Sequence, residues 1–176
     1  MNEYQNYPFK IYIQDIFRAK NTEHKYVYEM FGLKFKNVMI QGVVTSVYNS
    51  TNTTTNFELT DATGTVQAYY DLTKNNSNLS ENMLKDLNEN FEERSRSADE
   101  NLCTMAFLME RLLRKNKFDF FEGNYLSVIG DIFVDDKNTR MISAYECKIN
   151  NIERDVIWME ELRYLYEKFY LWSKEP

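Results

Sequence analysis

A chain of 176 residues, 43% apolar and 15% aromatic with 13 Tyr and 12 Phe, carries enough core material for one domain and is not a disordered chain. Its net charge of −6 argues against a protein that coats nucleic acid by bulk electrostatics. No run reaches the roughly 18 apolar residues that a membrane span needs, and the opening MNEYQNYPFK lacks a signal-peptide pattern, so the sequence reads as intracellular.

The charge is uneven. Residues 1–48 hold six Lys and Arg against four acids, a local +2, while the remainder holds fifteen against twenty-three, a local −8. Any nucleic-acid footprint is therefore expected to involve the N-terminal third. Cys103 and Cys147 sit in apolar contexts without CxxC spacing, which favours buried free thiols over a disulfide or metal role. The four N-x-S/T sequons, at Asn49, Asn52, Asn75 and Asn78, follow from an Asn- and Thr-rich composition rather than marking glycosylation.

In chain order, FKIYIQDIFR (9–18) alternates briefly and is expected to be a short extended lead-in. KYVYEMFGLKFK (25–36) reads as two strand-like pieces bent at Gly32. NVMIQGVVTSVY (37–48) alternates with period two and has an interior Gly42, the mark of a strand with a bulge or tight bend. The polar NSTNTTTN (49–56) is a loop, FELTD (57–61) a strand and ATG (62–64) a turn, with Gly64 expected at positive φ. TVQAYYD (65–71) returns as the paired strand.

Residues 74–118 then break the strand pattern. A weak helical pattern runs through Leu79, Met83, Leu87 and Phe91, and SRSADEN predicts a flexible break. A firmer helix over 102–118 carries Leu102, Met105, Met109 and Leu112 on one face, widened by Leu108. Its basic last turn (Arg111, Arg114, Lys115, Lys117) suits the negative end of the helix dipole, and that account is preferred to nucleic-acid contact. EGNYLSVIGDIFV (122–134) and RMISAYECKIN (140–150) are two further strands joined by the hairpin loop DDKNT. Last, Trp158, Leu162, Leu165, Phe169 and Trp172 recur at spacings of 4, 3, 4 and 3, an apolar stripe along a long helix that Tyr166 and Tyr170 broaden.

Three strands, a helix and two strands is the order of a five-stranded Greek-key barrel with a helical insert between its third and fourth strands. The expected organisation is a mainly β domain over 1–152, with the insert at 74–118, and an interaction helix over 153–176.

VMIQGVV…FELTDATGTVQAYY resembles the opening strands of the OB-fold domain shared by the middle subunit of replication protein A and the Stn subunit of the CST telomere-capping complex, an insect relative of the latter included. The lead-in YPFKIYIQDIF, the strand NYLSVIGDIFV and MISAYECKINNIERDVIW continue the resemblance over about residues 7–172. It implies a nuclear, chromosome-end protein that binds single-stranded DNA in a complex. Its implied partners are a small OB-fold subunit (Ten-like, or the small replication protein A subunit) and a larger OB-repeat subunit. Family members often carry a winged-helix region after the helix; this sequence ends just beyond it, as a short homologue or an excised domain would.

Two candidate sites follow. Five large apolar residues exceed what a helix capping a small barrel needs to bury, so Trp158, Leu162, Leu165, Phe169 and Trp172 are expected to anchor the small partner. For DNA, the resemblance places a stacking aromatic at Tyr69 or Tyr70. Alternation points Tyr69 outward, because Val66, Ala68 and Tyr70 form the more apolar face. Phe133, Lys137 and Arg140 flank the loop after the fourth strand, and Lys34 and Lys36 precede the first; the acidic Asp135 and Asp136 depart from the family pattern. No catalytic constellation, metal site or cofactor is expected: the single histidine, His24, lies in a polar segment, and neither a P-loop, zinc spacing nor nucleophile elbow occurs.

Overall fold

The computed structural model describes residues 7–74, 86–91, 93, 100–114 and 118–171. Among the described residues nine strands run in chain order: β1 (Phe9–Lys10), β2 (Lys20–Asn21), β3 (Tyr28–Met30), β4 (Leu33–Phe35), β5 (Asn37–Tyr48), β6 (Thr54–Thr60), β7 (Thr65–Asp71), β8 (Tyr125–Val134) and β9 (Arg140–Asn150). The named helices are α1 (Ile13–Arg18), α2 (Glu100–Arg114) and α3 (Glu153–Leu165), the last continuing as a π-helical turn, Tyr166–Tyr170. Among the described residues no helix is long and apolar enough to cross a membrane.

β5 is long enough to pair twice, which closes the barrel. Its first half pairs antiparallel with β8 from Asn37↔Asp131 to Val43↔Tyr125, and its second half with β6 from Val43↔Thr60 to Tyr48↔Asn56. The cycle β5–β6–β7–β9–β8–β5 is complete, antiparallel except for the parallel β7–β9 pair. A bulge between Val44 and Ser46 helps β5 change partners, as expected where a strand must coil. The alternating apolar residues then meet inside: Val38, Ile40, Val44, Phe57, Leu59, Val66, Ala68, Leu126, Val128, Ile132, Ile142 and Ala144 are all buried. Each large one contributes roughly 1.5–3 kcal/mol through burial.

Two glycines permit close strand approach. A Cβ on Gly42 would lie 2.5 Å from the Thr60 carbonyl oxygen, and one on Gly130 would lie 2.5 Å from that of Ser143. Both neighbours are backbone and cannot swing aside, so Gly42→Ala and Gly130→Ala should each destabilise the barrel by about 1–3 kcal/mol or more in urea titrations. Wild-type midpoints for both variants would refute this.

Three sequence expectations change. Residues 13–18 are helical rather than extended. Gly64 does not take positive φ; the glycines that do are Gly32 and Gly123. β6 begins at Thr54, inside the expected loop, where Thr55 is fully buried and hydrogen-bonded to Ser50 Oγ at 2.7 Å.

The insert, residues 72–119, forms a compact unit of its own, while the barrel and C-terminal helix make up the other. Residues 86–91 are helical. In α2, Met105 and Leu108 are exposed rather than buried on a core face, and Cys103 is exposed too. The side chains of Met109 and Leu112, and Leu79 and Met83 entirely, lie outside the described residues. Cys147 is part-buried, and desolvation raises its thiol pKa well above the usual range.

Candidate nucleic-acid and partner interface

The β6–β7 turn holds the lead-in against the barrel. Asp61 Oδ1 accepts from the Thr63 amide (2.7 Å), the Thr63 hydroxyl (2.6 Å) and the Gly64 amide (3.0 Å). Its Oδ2 accepts from the Ile13 amide (2.9 Å), while Thr63 Oγ1 accepts from that of Gln14 (3.0 Å). These are amides that the first turn of α1 cannot satisfy internally, so the turn caps that helix from 48 residues away in sequence. The D-x-T-G stretch therefore has a structural task. Asp61→Ala should cost about 2 kcal/mol, at the upper end for a lost cap, with the loss appearing as faster hydrogen exchange across residues 13–18.

An aromatic clamp then fixes the C-terminal helix. Tyr170 packs on Phe9 (ring centroids 4.5 Å apart) and Phe31 (5.7 Å), and its hydroxyl donates to the Lys10 carbonyl at 3.1 Å. The Tyr166 hydroxyl donates to the buried carboxylate of Asp15. Lys10 pairs with Glu161 at 2.8 Å and lies over the Trp158 ring.

This packing corrects the expected docking stripe. Trp158 is 4% exposed and Leu162 0%, both turned onto the chain's own barrel, and Leu165 is part-buried. Phe169 points to solvent, and Tyr170 takes its inward place. Trp172 lies outside the described residues. The apolar face that α3 leaves exposed is a different one: Val156 (69% exposed), Ile157 (52%), Met159 and Tyr164, preceded by Ile152. The helix begins at Glu153, with Glu153 and Asp155 as acids in its first turn, where they suit the positive end of the dipole.

On the barrel, Tyr69 is part-exposed and Tyr70 buried, with Tyr69 outward as alternation requires. Tyr69 lies between Asn56 on β6 and Ser143 on β9, and Phe133, opposite Met141, is part-exposed nearby on β8. Lys137 is exposed at the β8–β9 turn. Asp135 is consumed by that turn: its Oδ1 accepts from the amides of Lys137 (3.0 Å) and Thr139 (2.7 Å). Glu58 and Asp71 lie part-exposed on β6 and β7, so the local field around Tyr69 is acidic. Burial, with the Glu58 carboxylate second, raises the pKa of the Tyr48 hydroxyl.

The expected basic residues do not gather here. Arg140 is committed internally, donating to the Ile16 carbonyl at 2.6 Å and Asn21 Oδ1 at 3.0 Å with its guanidinium over the Tyr28 ring. It ties β9 to the lead-in instead of reaching for phosphate. Lys34 sits on β4 opposite Glu29, in the small β2–β3–β4 sheet, and exposed Lys36 precedes Asn37. Asn37 is separated from Tyr69 by β8 and β9, three strand spacings or roughly 14 Å. Among the described residues no group of three or more His, Cys, Asp or Glu could hold a metal.

No family model and no curated protein matches this sequence. Solved structures do match. A chain of a replication protein A heterotrimer bound to single-stranded DNA superposes with a TM-score of 0.60 and 13% identity, over 93% of this chain and 98% of its own. The S. pombe Stn1–Ten1 complex gives 0.55 at 13% identity over 89% and 90%, and yeast Stn1 and Ten1 give 0.56 at 10% over 93% and 74%. The barrel is an OB fold.

At such identities the likeness speaks for architecture. In OB-fold terms β5, β6, β7, β8 and β9 are strands one to five, and the loops at 49–53 and 135–139 are those that flank the ligand face of oligonucleotide-binding members. Tyr69, Phe133 and Lys137 lie on or beside that face; Lys34, Lys36 and Arg140 do not add to it.

Proposed function

We propose that this chain is a non-enzymatic subunit of a single-stranded-DNA-binding assembly of the telomere-capping type. It docks a small OB-fold partner through its C-terminal helix and offers the Tyr69–Phe133–Lys137 face to the strand. A larger OB-repeat subunit would complete the assembly, placing the protein in the nucleus at chromosome ends. The observation that carries this reading is the exposed apolar face at Val156, Ile157 and Tyr164, on a helix whose opposite side is already buried. The replication-type middle subunit is the sister reading.

The acids beside Tyr69 and the internal use of Arg140 favour DNA binding shared with a partner over binding by this chain alone. A mobility shift with a G-rich single strand, on the chain alone and then with the small partner, tests this. Tyr69→Ala with Phe133→Ala should weaken binding by the complex about tenfold or more, since base stacking contributes about 1–3 kcal/mol per aromatic. Lys137→Glu should lower the salt dependence. A complex that ignores all three substitutions would leave a scaffold without DNA contact.

A further inference from the structure

Two adjoining cavities run beside α3. The first, about 360 Å³, is lined by Tyr12, Val43, Tyr125, Asp155, Trp158 and Met159, among others. The second, about 420 Å³, is lined by Tyr12, Met159, Glu160, Arg163, Tyr166 and Glu167. They share Tyr12 and Met159 as walls, so they adjoin end to end along the helix as two parts of a groove. From Asp155 to Glu167 the helix advances about 18 Å, the span of about five extended residues. A length with that proportion fits a polypeptide segment better than a compact small molecule.

The chemistry of the walls narrows the occupant. The walls are largely aromatic and aliphatic, with four carboxylates, Asp61, Asp155, Glu160 and Glu167. Arg163 is the one base among the lining residues, and it already pairs with Glu160 at 2.8 Å. Asp155 Oδ1 takes the Tyr125 hydroxyl at 2.5 Å, leaving its second oxygen without a bond among the described residues. Gln41, which also lines the first cavity, is 5% exposed; its Nε2 donates to Ser127 Oγ at 2.5 Å, while its buried Oε1 has no partner. The groove therefore offers acceptors and negative charge beside aromatic rings.

We infer that this groove takes an extended segment of a partner protein in which an arginine is flanked by apolar residues. Arginine fits better than lysine because its flat guanidinium stacks on aromatic rings while its fixed donors reach more than one acceptor. The apolar neighbours cover Val43 and Met159, and the guanidinium is set between Tyr12, Tyr125 and the acids. This site meets the exposed face of α3 at Met159 but does not include Ile157, Tyr164 or Tyr69. The variants that test it leave those residues untouched, so its failure is distinguishable from that of the function proposed above.

The test is an amide NMR titration of the full chain with the capped pentapeptide Leu-Arg-Leu-Arg-Leu, its citrulline counterpart and its glutamate counterpart. The arginine peptide should give saturable shifts confined to the groove-lining segments 12, 41–45, 60–62, 125 and 155–167, with the other two at least tenfold weaker. Glu160→Lys with Glu167→Lys, both at exposed positions, should weaken the arginine peptide at least tenfold with an unchanged melting temperature. The same variant should still capture the small OB-fold partner and DNA. Absence of saturable shifts, an equal response to citrulline, shifts centred on β6 and β7, or indifference to the charge reversal would each overturn the inference.

Discussion

Ile157→Asp combined with Tyr164→Asp should abolish capture of the small OB-fold partner while moving the melting temperature by no more than about 2 °C. Both side chains are more than half exposed and lie seven residues apart, two turns along one side of α3. Surface changes of this kind stay within about 0.5 kcal/mol, whereas a carboxylate at the centre of an apolar interface must be desolvated and removes a packing anchor. Leu162→Asp should behave in the opposite order. Its side chain is fully buried against the barrel, so a carboxylate there costs about 4 kcal/mol or more. That is a large part of the roughly 5–15 kcal/mol that holds a domain together. Partner binding would then be lost because the helix leaves the barrel. Differential scanning calorimetry with co-purification separates the two outcomes. A double variant at 157 and 164 that still captures the small subunit would remove the helix from the proposed interface.

The same helix shows where the sequence was legible. Spacings of 4, 3, 4 and 3 identify an amphipathic helix and which side is most apolar, but not whether that side faces its own barrel or another chain. The extra area that buries Trp158 and Leu162 comes partly from the lead-in, whose Phe9 sits in the core and whose Lys10 lies over Trp158. The π turn adds a second obstacle. A register extrapolated at α-helical pitch puts Phe169 inward; one extra residue per turn at 166–170 rotates Tyr170 into that position. Local alternation was more informative in the strands. It gave β7 its bounds and the outward turn of Tyr69, because a strand's facing depends on its own pleat. α1 was illegible for the converse reason: its caps, Asp61 and Thr63, are distant in the chain. Arg140 looked like a phosphate contact by residue type, and only its position against Asn21 and Tyr28 shows it to be a tie.

Raising the pH above about 10 should loosen this clamp before it affects the barrel. Burial raises the pKa of Tyr170 to about 12, and it raises that of Tyr166 further, helped by the hydrogen bond to Asp15 and its charge. Tyrosines in the unfolded chain ionise near pH 10. A folded pKa above the unfolded one means that the native state keeps protons the unfolded state has given up. The stabilisation is therefore complete below pH 10 and is lost as pH climbs from 10 towards the folded values, about 12 for Tyr170 and higher for Tyr166. Each tyrosine that ionises only on release adds at most about 1.4 kcal/mol per pH unit to that slope. Urea titrations of the wild type should thus show stability falling steeply over this window. In Tyr170→Phe the Lys10 carbonyl loses its donor, at about 1 kcal/mol near pH 8, but the alkaline slope should flatten. Tyr166→Phe should cost more at pH 8, because Asp15 then remains buried with one donor fewer, while flattening the slope as well. A double Phe variant with the wild-type alkaline slope would show that these hydroxyls are not what holds the helix. The expected order of events, helix first and barrel second, follows from what the protons hold. Tyr166 and Tyr170 bond the helix to the lead-in through Asp15 and Lys10, and Tyr125 of β8 bonds to Asp155 of α3, so these ionisations release the helix. Tyr48, Tyr145 and Cys147, also raised by burial, sit on strands that the backbone ladder still closes.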